Sequence, residues 1–456
     1  MNGEKYGLGR DARQCICEMA IMSSRPLLVS FFWFACIVLE ARPAHAYLDP
    51  GTGSALVCVL VSVTAAFAYM FRSVIYTVRA WVRRKEPGAV SGAVASPDRE
   101  AGIVLFSEGR DYWLTFQPII EALLRKNVRF RYLSMDVEDP ALAIDDPRMD
   151  SRYIGCGPVS YARVAAVRGS VMLSTTPNIG CPDFPVPKPS RIGCLVHVLH
   201  GCCDITYYRR HSLDYYDAVF ILGPAMEKSI RRLEEVRGLA AKECIVAGTP
   251  NLDAISRAVR KDREKNARPV VVLAPTWGKK GFLRRYGADF IEELAKSGRY
   301  ELILRPHPQS WRKEARFMRA VVDRFSRHDC FRVDRNLSPS ESFERADVLV
   351  SDISGVRFEF AFLYERPVIT LASEGGDDSD FEAADLEWSW ERDAEREIGP
   401  VIGGDGIGDM RAVVEKALAV QPVDLAAVRA RYVGCMGRSG EVIADWLAAK
   451  PDSVGA

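Results

Sequence analysis

From Gly102 onward, short apolar runs alternate with longer stretches of helical period. Continuous apolar runs bounded by Gly, Pro or charged residues predict strands buried on both faces. With amphipathic stretches between them they predict α/β units around parallel sheets. A first series places strands at Ile103–Phe106, Val128–Leu133, Ser170–Ser174, Gly193–Leu199, Ala218–Leu222 and Glu243–Ala247. Its helices run from Tyr112 to Lys126 and from Ala225 to Arg237. After the charged stretch Arg257–Arg268 a second series begins with VVVLA at Val270–Ala274, held between Pro269 and Pro275. Strands follow at Tyr300–Leu304, near Phe331, and at Val348–Ser351 and Val368–Leu371. Helices are expected at Ala288–Ser297, Pro308–Arg327 and Gly355–Tyr364, and the tail Gly408–Ala449 reads as mostly helical. The expected fold is α/β with two Rossmann-like domains, one half over 102–256 and a second over 265–400. A C-terminal helical segment over 401–456 follows. In two such halves a ligand sits between the carboxyl ends of the facing strands.

The first 90 residues follow a different pattern. Leu27–Leu39 is apolar but short for a spanning helix, and Ala44-His45-Ala46 after it has the small-x-small form of a cleavage site. Residues 1–46 therefore read as a signal peptide or a first apolar helix. The run Ala55–Phe71 is uncharged and near the lower limit for spanning, so 47–90 reads as a transmembrane segment with a basic flank. Arg72, Arg79, Arg83, Arg84 and Lys85 follow it, whereas Glu40–Ser54 carries one Arg. The positive-inside rule then puts the rest of the chain on the cytoplasmic side of the cell (inner) membrane.

Composition narrows the classes further. The 456 residues carry 61 Lys+Arg against 60 Asp+Glu, a balance that argues against a nucleic-acid partner. At 48% hydrophobic and 27% charged, the chain is globular rather than disordered. Its 12 cysteines form no C-x-x-C pair, and no Asp/Glu/His cluster has metal-ligand spacing, so no metal or cofactor is expected.

Several candidate residues fall just after expected strands, where doubly wound sheets place their sites. The strand Leu195–Leu199 runs into His200-Gly201, where the imidazole can act as a general base or donate to a phosphate. A histidine satisfied by a backbone carbonyl would leave the same pattern. Thr276, in Ala274-Pro275-Thr276-Trp277, offers a hydroxyl at a loop tip. Pro306 and Pro308 stiffen the backbone on both sides of His307, beside Arg305, and this cationic pair suits an anion. Ser351-Asp352-Ile353-Ser354-Gly355 precedes a helix, with Ser354 the expected N-cap. Such a helix start binds phosphate through its amides and dipole, and an ordinary capped helix looks the same. Glu359 lies one turn further in, within reach of a ribose.

Taken in order, His200-Gly201, the G-x-P-x-x-D turn Gly248–Asp253, Ala274–Trp277, Arg305–Pro308, Ser351–Ser354 and the ending Gly437–Glu441 resemble the CDP-glycerol glycerophosphotransferase family. These are the polymerases and primases of teichoic-acid synthesis, and the likeness spans roughly His197–Leu447. The resemblance implies a glycosyltransferase-B-like fold and a CDP-activated polyol phosphate donor. It implies a lipid-linked or glycan acceptor of the cell envelope, and allows an oligomer. By it, His200 and His307 are catalytic: His200 deprotonates the acceptor, and His307 with Arg305 holds the pyrophosphate. Thr276, Ser351, Asp352, Ser354 and Gly355 make up the phosphate-binding motifs, and Glu359 is the ribose contact. Where the family commonly continues His-Gly with Pro-Leu-Lys, this chain has Cys202-Cys203-Asp204; where it usually carries Arg, this chain has Asn251. The competing readings are another enzyme of the same fold, such as a nucleotide-sugar transferase or epimerase, and a non-catalytic membrane scaffold.

Overall fold

The computed structural model describes residues 102–450 apart from 261–264, 337, 374–377 and 420–423. Both N-terminal apolar runs lie outside the described residues. Among the described residues no helix is long and apolar enough to cross a membrane.

Two parallel sheets carry the molecule. The first contains β1 (Ile103–Ser107), β2 (Phe130–Ser134), β3 (Met149–Tyr153), β4 (Arg168–Ser174), β5 (Arg191–Val198), β6 (Ala218–Ile221) and β7 (Glu243–Val246). Their order across the sheet is β3-β2-β1-β4-β5-β6-β7. The second contains β8 (Val270–Ala274), β9 (Glu301–Leu304), β10 (Phe331–Val333), β11 (Val348–Ser351), β12 (Val368–Leu371) and β13 (Val401–Ile402). Its order, β10-β9-β8-β11-β12-β13, is the doubly wound Rossmann order, and the first sheet repeats it with one strand added. In each sheet the order reverses beside the first strand, between β1 and β4 and between β8 and β11. The loops leaving these strands open the crevice where ligands of such sheets bind.

The central strands are apolar because helices cover both faces; β1, β6, β8, β11 and β12 are buried along their whole length. The expected helix Pro308–Arg327 is two, Pro308–Lys313 and Ala315–Phe325. The break falls at Glu314, whose carboxylate accepts from the Gly278 amide at 3.0 Å and from Arg284 Nε at 2.9 Å. Residues after 400 divide between the halves. Val401–Ile402 extends the second sheet, and Met410, Val414 and Ala417 join its core. The last helix, Ser439–Ala448, returns to the first half, where Ile443, Ala444 and Leu447 pack with Phe116 and Ile120. Asp253 accepts from the amides of Gly437 and Ser439, each at 2.7 Å, and so anchors this helix start. Gly440 has no side chain because a Cβ there would sit 2.5 Å from the Pro118 carbonyl oxygen.

Candidate active site

The crevice between the halves is built from strand ends. On the first half, β5 ends at Val198 and Leu199 leads to His200. Edge-on contact with Tyr112 (ring centroids 5.5 Å apart) and stacking on Tyr208 (6.0 Å) fix the imidazole of His200. Its Nδ1 faces the Tyr208 hydroxyl at 3.4 Å; among the described residues Nε2 has no hydrogen-bond partner. Burial lowers its pKa to about 4, so the ring is neutral at pH 7 and able to accept a proton. Behind it, His197 is wholly buried between Tyr208 and Tyr216, and neither ring nitrogen has a partner among the described residues.

On the second half, β9 runs into Arg305-Pro306-His307-Pro308. His307 caps the helix Pro308–Lys313, its Nδ1 accepting from the Gln309 amide at 3.1 Å. That bond settles which nitrogen carries hydrogen: Nδ1 is the acceptor, so in the neutral ring Nε2 is the donor. Burial lowers the His307 pKa to about 4, with further lowering from His200 and Arg312. The two imidazoles therefore share one electrostatic environment, although they come from different sheets. Arg305 is paired with Asp334 (2.7 Å), which fixes the guanidinium at the sheet edge.

Thr276 and Ser354 follow β8 and β11, where the second sheet reverses order. Both are half-buried, and neither hydroxyl has a partner among the described residues. Ser354 does not cap the following helix. Val356–Tyr364 has Gly355 at its N-cap, with no side-chain cap bond. Asp352 takes the organising role instead. Buried beneath the loops, it accepts from the amides of Thr276 (3.1 Å), Phe282 (2.8 Å) and Ser354 (3.3 Å). Ser351 is fully buried and donates to the Ala274 carbonyl at 2.7 Å, tying β11 to β8. Both therefore brace the loops after β8 and β11 from behind.

Gly355 and Glu359 meet the first half directly. A Cβ on Gly355 would lie 2.9 Å from the Cys202 carbonyl oxygen, so the two halves touch here backbone to backbone. Glu359 accepts from Asn251 Nδ2 at 2.7 Å and from the Cys202 amide. Its carboxylate thus joins the halves rather than lying open in the crevice as a ribose contact would. Beside it, the Asp204 amide donates to Glu391 at 2.5 Å, and Glu391 pairs with the buried Arg357 at 2.7 Å. The departures at Asp204 and Asn251 now have a physical setting. Both residues face carboxylates of the second half, and such pairings are invisible in local spacing.

Sequence reasoning also passed over the wall opposite His307. Glu108, after β1, accepts from the Tyr112 hydroxyl at 3.2 Å, and Lys313 and Arg312 of the second half act on its charge. The strand-end position of Ser107-Glu108-Gly109 was the available signal.

Two parallel doubly wound sheets, with imidazoles from both at one crevice, define a two-domain protein of glycosyltransferase-B-like architecture. Residues 208–378 match the family described as CDP-glycerol:poly(glycerophosphate) glycerophosphotransferase. Over that segment the chain is similar to the CDP-glycerol glycerophosphotransferases. Among solved structures it is similar to the wall teichoic acid polymerase TagF, with TM-score 0.50 and 16% identity over 84% of this chain and 98% of that one. A Methanocaldococcus jannaschii UDP-GlcNAc 2-epimerase, in complex with UDP-GlcNAc and UDP, gives 0.51 and 15% over 76% of this chain and 99% of the other. S. aureus MnaA with UDP gives 0.50 and 14% over 77% and 99%. At these identities the likenesses establish the fold. No curated protein matches the chain.

Proposed function

We propose that the protein transfers a polyol phosphate of the glycerol phosphate type from a CDP-activated donor to a cell-envelope glycan or lipid-linked acceptor. The reaction belongs to teichoic-acid-type synthesis at the cytoplasmic face of the membrane. The observation that carries this reading is the neutral His200 set beside His307 across the crevice, His307 lying within the segment 208–378 that matches the glycerophosphotransferase family. The acceptor hydroxyl oxygen attacks the phosphorus bearing the polyol, and its proton passes to His200 Nε2. The bond from that phosphorus to the CMP oxygen breaks, and CMP leaves with the electron pair. His307, donating from Nε2, and Arg305 meet the charge developing on the phosphoryl oxygens. The hydroxyls of Thr276 and Ser354 and the helix start at Gly355 hold the diphosphate. Such a site works by positioning and by fixed positive potential. The basic flank Arg72–Lys85 supports placement against anionic lipid.

Calorimetry with CDP, UDP and GDP tests the donor. Preferential binding of CDP is expected. Preference for UDP would favour a nucleotide-sugar enzyme, a reading supported by the epimerases of the same fold. Absence of all three titrations would favour a scaffold.

A further inference from the structure

Resting on the polyol-phosphate reading above, we propose that Glu108 is a positioning residue for the acceptor. Its carboxylate grips the vicinal diol at the hydroxyl end of a polyol phosphate chain and sets one of those hydroxyls against His200.

The geometry is that of a built wall. Glu108 leaves β1 where the first sheet reverses order, as the loop carrying Thr276 leaves β8 in the second sheet. The turn carrying it is rigid. Ser107 Oγ donates to the Gly109 carbonyl at 3.1 Å and accepts from the Gly109 amide at 3.0 Å. Gly109 is left-handed (φ 137°) and lies against Asp136, where a Cβ would come within 2.4 Å of the aspartate side chain. Glu108 is exposed to solvent yet enclosed by both halves. Tyr112 links it to the catalytic imidazole, its hydroxyl donating to Glu108 and its ring edge-on to His200. Beside it is Thr176, fully buried, whose hydroxyl has no well-formed hydrogen bond among the described residues. A buried hydroxyl so loosely paired with Glu108 is costly to leave so, and a ligand hydroxyl held at that carboxylate would complete its bonding.

The chemistry selects the ligand. A carboxylate with free lone pairs accepts from hydroxyls and repels a terminal phosphate. Arg312 and Lys313, reaching over from the second half, suit the phosphodiester one unit further back. An uncharged diol followed by a phosphate is the hydroxyl terminus of a poly(glycerophosphate), the acceptor that the matching family's description names. Burial raises the Glu108 pKa, and Tyr112, Thr176, Lys313 and Arg312 oppose the rise.

The test titrates hydroxyl-terminated and phosphate-terminated glycerol phosphate oligomers, and separately CDP, into full-length wild type, Glu108→Gln, Glu108→Ala and Thr176→Val. Acceptor and donor KM are measured alongside. The expected results are tenfold or weaker oligomer binding and a tenfold or higher acceptor KM in Glu108→Ala, with smaller losses in Glu108→Gln and Thr176→Val. CDP affinity and donor KM stay within twofold, and the phosphate-terminated oligomer binds wild type at least tenfold more weakly. If wild type binds the oligomer but no cytidine nucleotide, the donor reading falls and the Glu108 site stands on the titration. If CDP binds while all the variants take up the oligomer as wild type does, the assignment of Glu108 is overturned.

Discussion

Asn251 Nδ2 donates to Glu359 Oε1 at 2.7 Å, one residue from each half, beside the turn that carries His200. The same carboxylate accepts from the Cys202 amide, so one buried side chain sets how the second sheet meets the His200 turn of the first. Removing the donor strands a buried acceptor. Asn251→Ala is expected to lower stability by about 1–3 kcal/mol, read as a fall in thermal midpoint by calorimetry. Because the misplaced turn also carries His200, kcat should fall more than nucleotide affinity does.

Protonation makes this contact pH-dependent. Burial raises the Glu359 pKa to about 7, against the Cys202 amide, Arg305 and Asn251. A raised carboxyl pKa means that the folded state holds the proton more tightly than the unfolded chain. Its stabilising share is complete below the ordinary glutamate pKa and is lost as pH rises through 7. Asp204, also raised to about 7 by burial, acts in the same direction. Glu359→Gln should flatten the decline of thermal stability between pH 5 and 8 relative to wild type. Parallel declines in the two proteins would show that Glu359 does not titrate there.

The histidines act in the opposite sense. His200 and His307 are both held near 4 by burial, so the unfolded chain binds more protons between about 4 and 6.5, and stability rises with pH across that window. For activity, the same shifts keep both rings neutral well below their ordinary range. The acid limb of kcat/KM against pH should lie below pH 5.5. A limb centred near 6.5 would mean that His200 is solvated in the working enzyme.

Arg305 is held by Asp334 in a half-buried pair, so truncation has two effects. Arg305→Ala leaves the buried Asp334 carboxylate without its partner and removes positive charge from the donor side. Donor KM should rise tenfold or more. Arg305→Lys should recover part of it, because a single ammonium keeps the charge but not the planar fork.

At the far end of the chain, Asp253 holds the amides that open the last helix. Asp253→Ala should cost about 1–2 kcal/mol, as helix N-cap losses do, and should loosen Ser439–Ala448 first. Hydrogen exchange over that helix, measured against Trp113–Arg125, checks this.

The strands that the sequence reveals most clearly are the ones buried on both faces. Val270–Ala274, Val348–Ser351 and Val368–Leu371 fall where the apolar runs place them, because proline or charge bounds each run. Met149–Tyr153 escapes this reading. It is a polar edge strand, joined to β2 by parallel pairing and by the Arg131–Asp150 ion pair at 3.0 Å, and no local periodicity marks it. Trp390–Ile398 was legible but overlooked, with Trp390, Ala394 and Ile398 buried at helical spacing within a highly charged stretch. The two crevice histidines, His200 and His307, stand out through their strand-end and proline contexts. The roles of Asp352, Glu359 and Asp204 do not, because each depends on a partner distant in sequence: Phe282, Asn251 and Glu391. Motif spacing points to the loops after β8 and β11 in general. Which of its residues meet ligand and which brace the loops is decided by burial in three dimensions.

Transfer from labelled CDP-glycerol to a hydroxyl-terminated glycerol phosphate oligomer, comparing wild type with His200→Ala at matched CDP affinity, bears most directly on the reaction. Product chains lengthening in step with CMP release in wild type, with at least a hundredfold loss in the variant, is the expected result. Equal rates in the two proteins, or CMP release with no lengthened product, would contradict a His200-driven polyol-phosphate transfer.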